Sequence, residues 1–168
     1  DTAIGLKDGN VGHIDAVEID PVIARLGALY HPEQPFSDPR VTVHVDDGRS
    51  FIRKSTDKYD LIIFALPDSL TLTSQFSSLR LESFLFTEES FKEARAHLTD
   101  DGAIVLYNYY RQDWLLRKLA GMLETAFGQP PYVASYGGWG RAGVLVDGPR
   151  LKTLLTERPE LKQPYQEV

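Results

Sequence analysis

The stretch "DLIIFAL", Asp60 to Leu66, decides the fold. Its residues Leu61 to Leu66 form an uninterrupted apolar run, which is typical of a strand buried on both faces, as in a parallel sheet covered by helices. Pro67, Asp68 and Ser69 follow directly, which predicts that the chain leaves the strand there. Ligands of open α/β sheets bind at the carboxyl ends of the strands. Asp68 is therefore either a working acid or base, or only the first residue of a turn.

Helical and strand patterns alternate along the rest of the chain. Alternating or β-branched residues predict strands, which we place at 14–19, 41–45, 103–110, 131–136 and 142–148. Apolar periodicity and helix-start residues predict helices, which we place at 1–9, 21–30, 50–56, 87–98 and 113–127. The segment 67–82 is expected to be irregular, and "DDG" at 100–102 to be a turn. This order predicts an α/β fold with a mainly parallel sheet and helices on both faces.

Three of these helices carry predictions about their ends and faces. Thr87 is the expected N-cap of the helix that follows it. The apolar residues of the helix at 21–30 fall on one face, and they are Val22, Ile23, Leu26 and Leu29. Trp114 and the apolar stripe behind it are expected in the core.

Composition places the chain among ordinary soluble proteins. It has 168 residues, 42% of them hydrophobic, and a formal net charge of −6. Its longest apolar run is far shorter than the roughly 20 residues that span a bilayer, and the first residues have no signal-peptide pattern. A negative net charge argues against broad binding to nucleic acid or to anionic membranes. Without cysteine there is no disulfide and no thiolate zinc site, which fits a cytoplasmic protein.

Acids and hydrogen-bonding aromatics follow four of the predicted strands. They are Glu18 and Asp20, then Asp46, Asp47 and Gly48, then Asp68 and Ser69, and finally Tyr107, Asn108, Tyr109 and Tyr110. Glu18 is placed to hold both hydroxyls of a ribose, and the alternative is that it caps a helix, as we expect of Asp20. Asp46, Asp47 and Gly48 form either an adenine contact or a helix-capping turn. The four histidines show no metal-ligand spacing.

Five segments, in their order and spacing, resemble the spermidine/spermine synthase family of aminopropyltransferases. They are "AVEIDP", "HPEQPFSDPRVTVHVDDGRSFI", "YDLIIFALPDS", "LFTEESFKEARAHLTDDGAIVLY" and "GGWGRAGVLV". That family belongs to the larger group with the S-adenosylmethionine-dependent methyltransferase fold. The resemblance implies a Rossmann-like, methyltransferase-type domain over residues 1–148, with an antiparallel strand near its C-terminal end. Residues 149–168 would be a charged tail or helix.

The resemblance also implies that the chain begins part-way through the family's domain. "DTAIGL" is similar to the helix that follows the family's first strand and glycine-rich loop. We therefore expect an N-terminally truncated chain that lacks that strand, the loop and the family's N-terminal β-hairpin domain. An unpaired sheet edge left in this way would favour association with another chain, so a homodimer is possible.

The family's nucleotide contacts transfer to named residues of this chain. Glu18 matches the acid that holds the ribose, and Asp47 with Gly48 matches the pair that contacts adenine. Asp46 is a weaker candidate for the adenine contact. The ligand implied by the resemblance is decarboxylated S-adenosylmethionine or S-adenosylmethionine, used as a co-substrate without a metal.

The family's catalytic acids transfer only in part. Aligned on Tyr59, the first catalytic aspartate falls on Ala65 and the second acid on Asp68. Substrate contacts are implied at Asp68, at Tyr107, where the family often has a glutamine, and at Trp139. Because alanine cannot take a proton from the attacking amine, we expect little or no aminopropyl transfer unless Asp68 supplies the base.

Three functions are consistent with these residues. The first is an aminopropyl or other alkyl transferase that acts on a nucleotide and a polyamine. The second is a non-catalytic module that binds a nucleotide or a partner protein. The third is an ordinary methyltransferase using S-adenosylmethionine.

Overall fold

The computed structural model describes residues 1–65, 84–110, 113–136 and 141–162. The strands are β1 (Ile14–Glu18), β2 (Val41–Val45), β3 (Tyr59–Ala65), β4 (Leu98–Tyr110), β5 (Tyr132–Tyr136) and β6 (Arg141–Asp147). The helices are α1 (Thr2–Gly5), α2 (Pro21–Tyr30), α3 (Gly48–Lys54), α4 (Glu88–Ala96), α5 (Asp113–Phe127) and α6 (Pro149–Glu157). Short 3₁₀ turns lie at Pro35–Ser37 and Pro159–Lys162.

The chain divides into two compact units, Asp1–Ser55 and Thr56–Val168. In the first unit, β1 and β2 form a parallel pair, with Ile14 opposite Val41 and Glu18 opposite Val45. A parallel pair needs a crossover between its strands, and α2 with the 3₁₀ turn supplies it.

The second unit holds a four-stranded sheet in the order β3-β4-β6-β5. Strands β3 and β4 are parallel, and β6 runs antiparallel to both β4 and β5. This confirms the predicted α/β fold, including the antiparallel strand near the C-terminal end. The prediction that β3 is buried on both faces is wrong, because Ile62 and Phe64 are buried whereas Leu61 and Ile63, on the other face, are 51% and 42% exposed. Among the described residues, β1 pairs only with β2 and β3 only with β4. Within this part of the chain, each of these two strands therefore has one edge without a strand partner. That the chain lacks the family's first strand and glycine-rich loop stays a prediction.

The core of the second unit lies between β4 and two helices. Alternate residues of β4, among them Ile104 and Leu106, are fully buried. They meet residues of α4 and α5 that are also buried, and these are Phe91, Ala94, Leu116, Leu119, Leu123 and Ala126. Complete burial of one such large side chain stabilises the fold by about 1.5–3 kcal/mol.

Strand β4 is longer than predicted. It begins at Leu98 and runs through 100–102, so the turn expected there is wrong. The register against β3 shifts between Tyr59 and Leu61, and the irregularity takes up the extra residues. A Cβ atom on Gly102 would lie 2.9 Å from the Tyr59 carbonyl oxygen, so glycine lets the two backbones approach.

Of the predictions about helix faces, the one that placed Trp114 in the core is wrong. Trp114 is 59% exposed, while the stripe of α5 that begins at Leu116 is buried. The reason is angular, because a residue two positions before a buried one lies on another side of a helix. The four apolar residues of α2 lie on one face, as predicted. That face is 46–58% exposed, and Ala24 and Gly27 face inward.

Helix α6 lies within the segment expected to be a charged tail or helix, and its Leu151 is 3% exposed. The predicted domain boundary after residue 148 stays a prediction. The irregular segment expected at 67–82 lies outside the described residues. Within the parts of the chain that the structure describes, no helix is long and apolar enough to cross a membrane.

Candidate functional site

The carboxyl ends of β1 and β2 bring three predicted acids to one edge of the first unit. Glu18 ends β1 and lies opposite Val45, the last residue of β2. Asp46 and Asp47 follow Val45 directly. Because neighbouring parallel strands lie about 4.8 Å apart, Glu18 and the acids after β2 are close enough to contact one small ligand.

Glu18 is oriented by a backbone hydrogen bond. The Asp20 N–H donates to Glu18 Oε1 at 2.9 Å. Asp20 itself caps α2, because its Oδ1 accepts from the Val22 N–H at 2.7 Å. The other carboxylate oxygen of Glu18 makes no hydrogen bond to any residue the structure describes. Asp20 is thus the helix cap, as predicted, and Glu18 keeps an oxygen available for a ligand.

Asp47 and Gly48 begin α3. Asp47 is the N-cap, with Oδ1 accepting from the Ser50 N–H at 2.8 Å, and Gly48 is the first helical residue. This confirms the helix-capping alternative for Asp47. The cap uses one oxygen of the Asp47 carboxylate, and the first N–H groups of α3 lie at the same edge of the sheet. Both remain compatible with an adenine contact, which stays a prediction.

Asp46 is engaged with its neighbours. Its Oδ1 accepts from the Asp47 N–H at 2.9 Å, and its Oδ2 lies 3.0 Å from Lys54 Nζ. The lysine lowers the pKa of the Asp46 carboxyl from its ordinary value. An exposed pair of this kind adds little to stability. Asp46 therefore fits its place as the weaker of the two adenine candidates.

In the second unit, the carboxyl ends of β3 and β4 place Ala65 beside Tyr107. The two residues are register partners, and Ala65 is exposed at the end of β3. Burial raises the pKa of the half-buried Tyr107 phenol. A phenol in that state stays neutral, so it can donate a hydrogen bond but is a poor base for an ammonium ion. Ala65 has no titratable group, so neither of these two register partners is a good base.

The next residues of β4 are fixed by the backbone. Asn108 is 8% exposed, and its side-chain oxygen accepts from the Tyr109 N–H at 2.7 Å. Asp68 and Trp139, the remaining predicted site residues, lie outside the described residues. The role of Asp68 as a base therefore stays a prediction.

One cluster was missed by sequence reasoning. Asp15 Oδ1 lies 2.8 Å from His44 Nε2 and 3.2 Å from His13 Nε2, so two imidazoles share one carboxylate oxygen. The ring of His44 also packs against Phe51, with centroids 4.6 Å apart. The signal that could have revealed the cluster is the parallel pairing of β1 with β2. His44 lies two residues beyond the register partner of Asp15, so the two side chains share one face of the sheet. Within the described residues, no group of three or more acids and histidines is arranged to hold a metal ion.

The first unit also contains an open hollow of about 420 Å³, which none of the predicted site residues lines. Its charged residues are paired. Lys7 meets Glu33 at 2.8 Å, and Arg40 bonds Asp38 and the carbonyl oxygens of Leu6 and Val11. These contacts join the loop before β2 to the chain's first residues, so we interpret the hollow as structural.

Comparison with known proteins gives one consistent result. The family described as "Spermine/spermidine synthase domain" matches residues 6–131, which is well over half of the chain. A polyamine aminopropyltransferase of Pyrobaculum calidifontis is 32% identical over 144 residues. That match covers 80% of this chain and 46% of the relative, so the chain spans less than half of the relative's length.

Solved structures show the same fold. A spermidine synthase in complex with the transition-state analogue AdoDATO has a TM-score of 0.66 at 20% identity, covering 97% of this chain and 55% of that chain. Human methyltransferase-like protein 13 in complex with SAH has a TM-score of 0.63 at 22% identity, covering 93% and 74%. These likenesses confirm the methyltransferase-type fold.

Proposed function

Because the chain belongs to the spermine/spermidine synthase family, we propose that the carboxyl edge of β1 and β2 binds the adenosine part of a sulfonium nucleotide. Decarboxylated S-adenosylmethionine is the first candidate, and S-adenosylmethionine is the alternative. Glu18 would accept hydrogen bonds from the two ribose hydroxyls. Asp47 would accept one from the adenine amino group, beside backbone N–H donors at the start of α3.

The observation that carries this proposal is the register of β1 against β2. Glu18 and Val45 are partners, so Glu18 and Asp47 stand near one another at adjacent strand ends. The Asp20 N–H fixes one oxygen of Glu18 and leaves the other unbonded among the described residues. A pre-oriented acceptor loses little side-chain entropy when a ligand binds.

The reaction expected of a family member is alkyl transfer to an amine. The nitrogen lone pair forms a bond to the aminopropyl carbon, and the C–S bond breaks with its electrons moving to sulfur. The sulfonium becomes a neutral thioether, and the new ammonium loses a proton. A carboxylate placed to accept that proton contributes about 10²–10⁴-fold to the rate.

Ala65 cannot accept that proton, and the neutral Tyr107 beside it is a poor substitute. Asp68 is the candidate base, and Asp68, Tyr107 and Trp139 are the proposed contacts of the amine substrate. A second function is favoured by Ala65, namely a non-catalytic module that binds the nucleotide without turning it over. In both cases the nucleotide would bind at the carboxyl edge of β1 and β2, which we call the adenosine edge (Glu18 and Asp47), and only the chemistry differs.

Calorimetric titration of the 168-residue chain tests the binding. We expect 5′-methylthioadenosine, the thioether product of aminopropyl transfer, to bind more tightly than 5′-methylthioinosine, which has a carbonyl oxygen in place of the adenine amino group. S-adenosylhomocysteine separates the alternatives, because tighter binding of that compound would favour a methyltransferase. Equal or absent binding of all three compounds would contradict the nucleotide site.

An activity assay then separates transferase from binding module. The assay follows 5′-methylthioadenosine release from decarboxylated S-adenosylmethionine with putrescine as acceptor. With Ala65 in place we expect transfer to be slow or undetectable. Rapid transfer would show that Asp68 or another group supplies the base, and the non-catalytic alternative would be wrong.

A further inference from the structure

Helix α2 carries an apolar surface on its outer side. Five of its side chains are between 46% and 74% exposed, and they are Val22, Ile23, Leu26, Leu29 and Tyr30. We call these five residues the outer face of α2. At about 3.6 residues per turn they cover an arc of roughly 120°, which is a continuous stripe along the helix.

The inner side of α2 is already packed. Ala24 is 7% exposed, and a Cβ atom on Gly27 would lie 2.9 Å from Phe36 Cε2. Arg25 is the only charged residue between Pro21 and Tyr30. An exposed apolar stripe of this length, on a helix whose other side is already packed, marks a candidate interaction surface.

The spacing of the outer face indicates what that partner is. Taking Leu26 as the centre, the other residues stand three and four positions before it and three and four positions after it. A surface with this symmetry matches itself when a second helix runs antiparallel across it. Residue 22 then faces residue 30, 23 faces 29, and Leu26 meets its own copy, as a twofold interface requires.

We propose that the outer face of α2 is a self-association surface, on which α2 of a second copy of this chain packs in antiparallel orientation. The charges allow it, because the twofold arrangement sets Arg25 against Gly27 and brings no like charges of the helix together. Two antiparallel helices also place the positive end of one helix dipole near the negative end of the other.

The size of the surface indicates a weak dimer. Each of the five side chains leaves roughly 100 Å² uncovered, so two copies would bury about 1,000 Å² in total. That area lies at the low end for specific interfaces. We therefore expect a dissociation constant on the order of micromolar or weaker. This proposal is independent of nucleotide binding, since it uses none of the residues assigned to the adenosine edge.

Sedimentation velocity over a wide concentration range tests the proposal. We expect wild type to pass from monomer to dimer, and Leu26→Glu to remain monomeric because it sets two carboxylates face to face. Arg25→Glu is the matched control on the same helix, outside the stripe, and should dimerise like wild type. Far-UV circular dichroism of each variant shows whether the fold is retained.

Cross-linking locates the contact, since the chain contains no cysteine. A short bismaleimide should join two Leu26→Cys chains through that position, whereas Ala28→Cys, on the other side of α2, should give no dimer. A monomer at every concentration, or a dimer that Leu26→Glu leaves intact, would overturn the proposal. The first result would leave the outer face to a different protein segment, and the second would place self-association elsewhere, for instance on the open edge of β3.

Discussion

At the scale of single residues, Gly143 shows how closely the second unit is packed. A Cβ atom on Gly143 would lie 2.8 Å from Tyr110 Cδ2 and 3.3 Å from Leu116 Cδ1. Tyr110 is 3% exposed, and burial raises the pKa of its phenol. These distances are shorter than ordinary van der Waals contacts, so glycine allows β6 to approach the buried ring of Tyr110 closely.

We expect Gly143→Ala to lower the free energy of unfolding by about 1–3 kcal/mol, because it overpacks the core. Gly121→Ala is the matched control, because Gly121 lies within α5 and nothing stands within 4 Å of its added Cβ. That substitution should raise the free energy of unfolding by up to about 1 kcal/mol through helix propensity. Urea unfolding of both variants measures the contrast, and equal effects would contradict the packing described.

Asp147 carries a pH-dependent contribution to stability. Its carboxyl is fully buried, with Oδ1 accepting from Gln129 Nε2 and the Gly148 N–H, both at 2.7 Å. Burial raises the pKa of Asp147 above its ordinary value near 3.8, although both hydrogen bonds oppose the shift. The folded state therefore holds this proton to higher pH than the unfolded chain does.

It follows that the contribution of Asp147 to stability is fully present below the unfolded pKa and is lost as pH rises through the folded pKa. Asp147→Asn cannot ionise and keeps the oxygen that accepts both hydrogen bonds. We expect its unfolding free energy to fall less than that of wild type as pH rises from about 4. Urea unfolding at a series of pH values measures this, and parallel curves for the two proteins would show that Asp147 does not carry the effect.

At the scale of elements, the starts of two helices could be predicted from the local sequence, whereas the exposure of helix faces could not. The starts of α2 and α4 follow from local chemistry, namely Pro21 after Asp20 and the Thr87 hydroxyl, which accepts from the Ser90 N–H at 3.1 Å. The exposure of Trp114 and of the outer face of α2 does not follow from local chemistry, because it depends on which neighbouring elements pack against each helix.

The α4 cap gives an element-scale prediction. We expect Thr87→Ala to lower the free energy of unfolding by about 1 kcal/mol, since it leaves the Ser90 N–H without its acceptor. Thr87→Ser keeps the hydroxyl and should come close to wild type. Thermal and urea unfolding of the pair measure the cap, and equal losses in both variants would indicate that the threonine methyl group, rather than the oxygen, matters.

At the scale of the whole molecule, Glu18 and Asp47 belong to the first compact unit, and Ala65 and Tyr107 to the second. Strand patterns alone placed Glu18 and Asp47 at carboxyl ends, and the register of β1 against β2 agrees. Ala65 could be singled out only through the family resemblance, since nothing in an apolar strand marks a missing acid. The histidine pair around Asp15 was missed because His44 is 29 residues from Asp15 in sequence and meets it only through the pairing of β1 with β2.

Ala65 also gives a prediction about chemistry. Ala65→Asp places a carboxylate beside Tyr107 at the exposed end of β3, where a larger side chain has room. We expect it to raise the rate of transfer to putrescine by about 10²-fold or more if the rest of the site is competent. Ala65→Asn matches it in size without supplying a base. The same rate in both variants would exclude a base at this position.

The most direct single measurement is a calorimetric titration of 5′-methylthioadenosine into wild type, Glu18→Gln and Asp20→Asn. Glu18→Gln changes the proposed ribose contact, whereas Asp20→Asn removes a neighbouring charge and keeps the helix cap. We expect binding to wild type and to Asp20→Asn, and a loss of at least about tenfold in Glu18→Gln, as for one charged hydrogen bond. Equal affinity in all three proteins would contradict a nucleotide site at the carboxyl edge of β1 and β2.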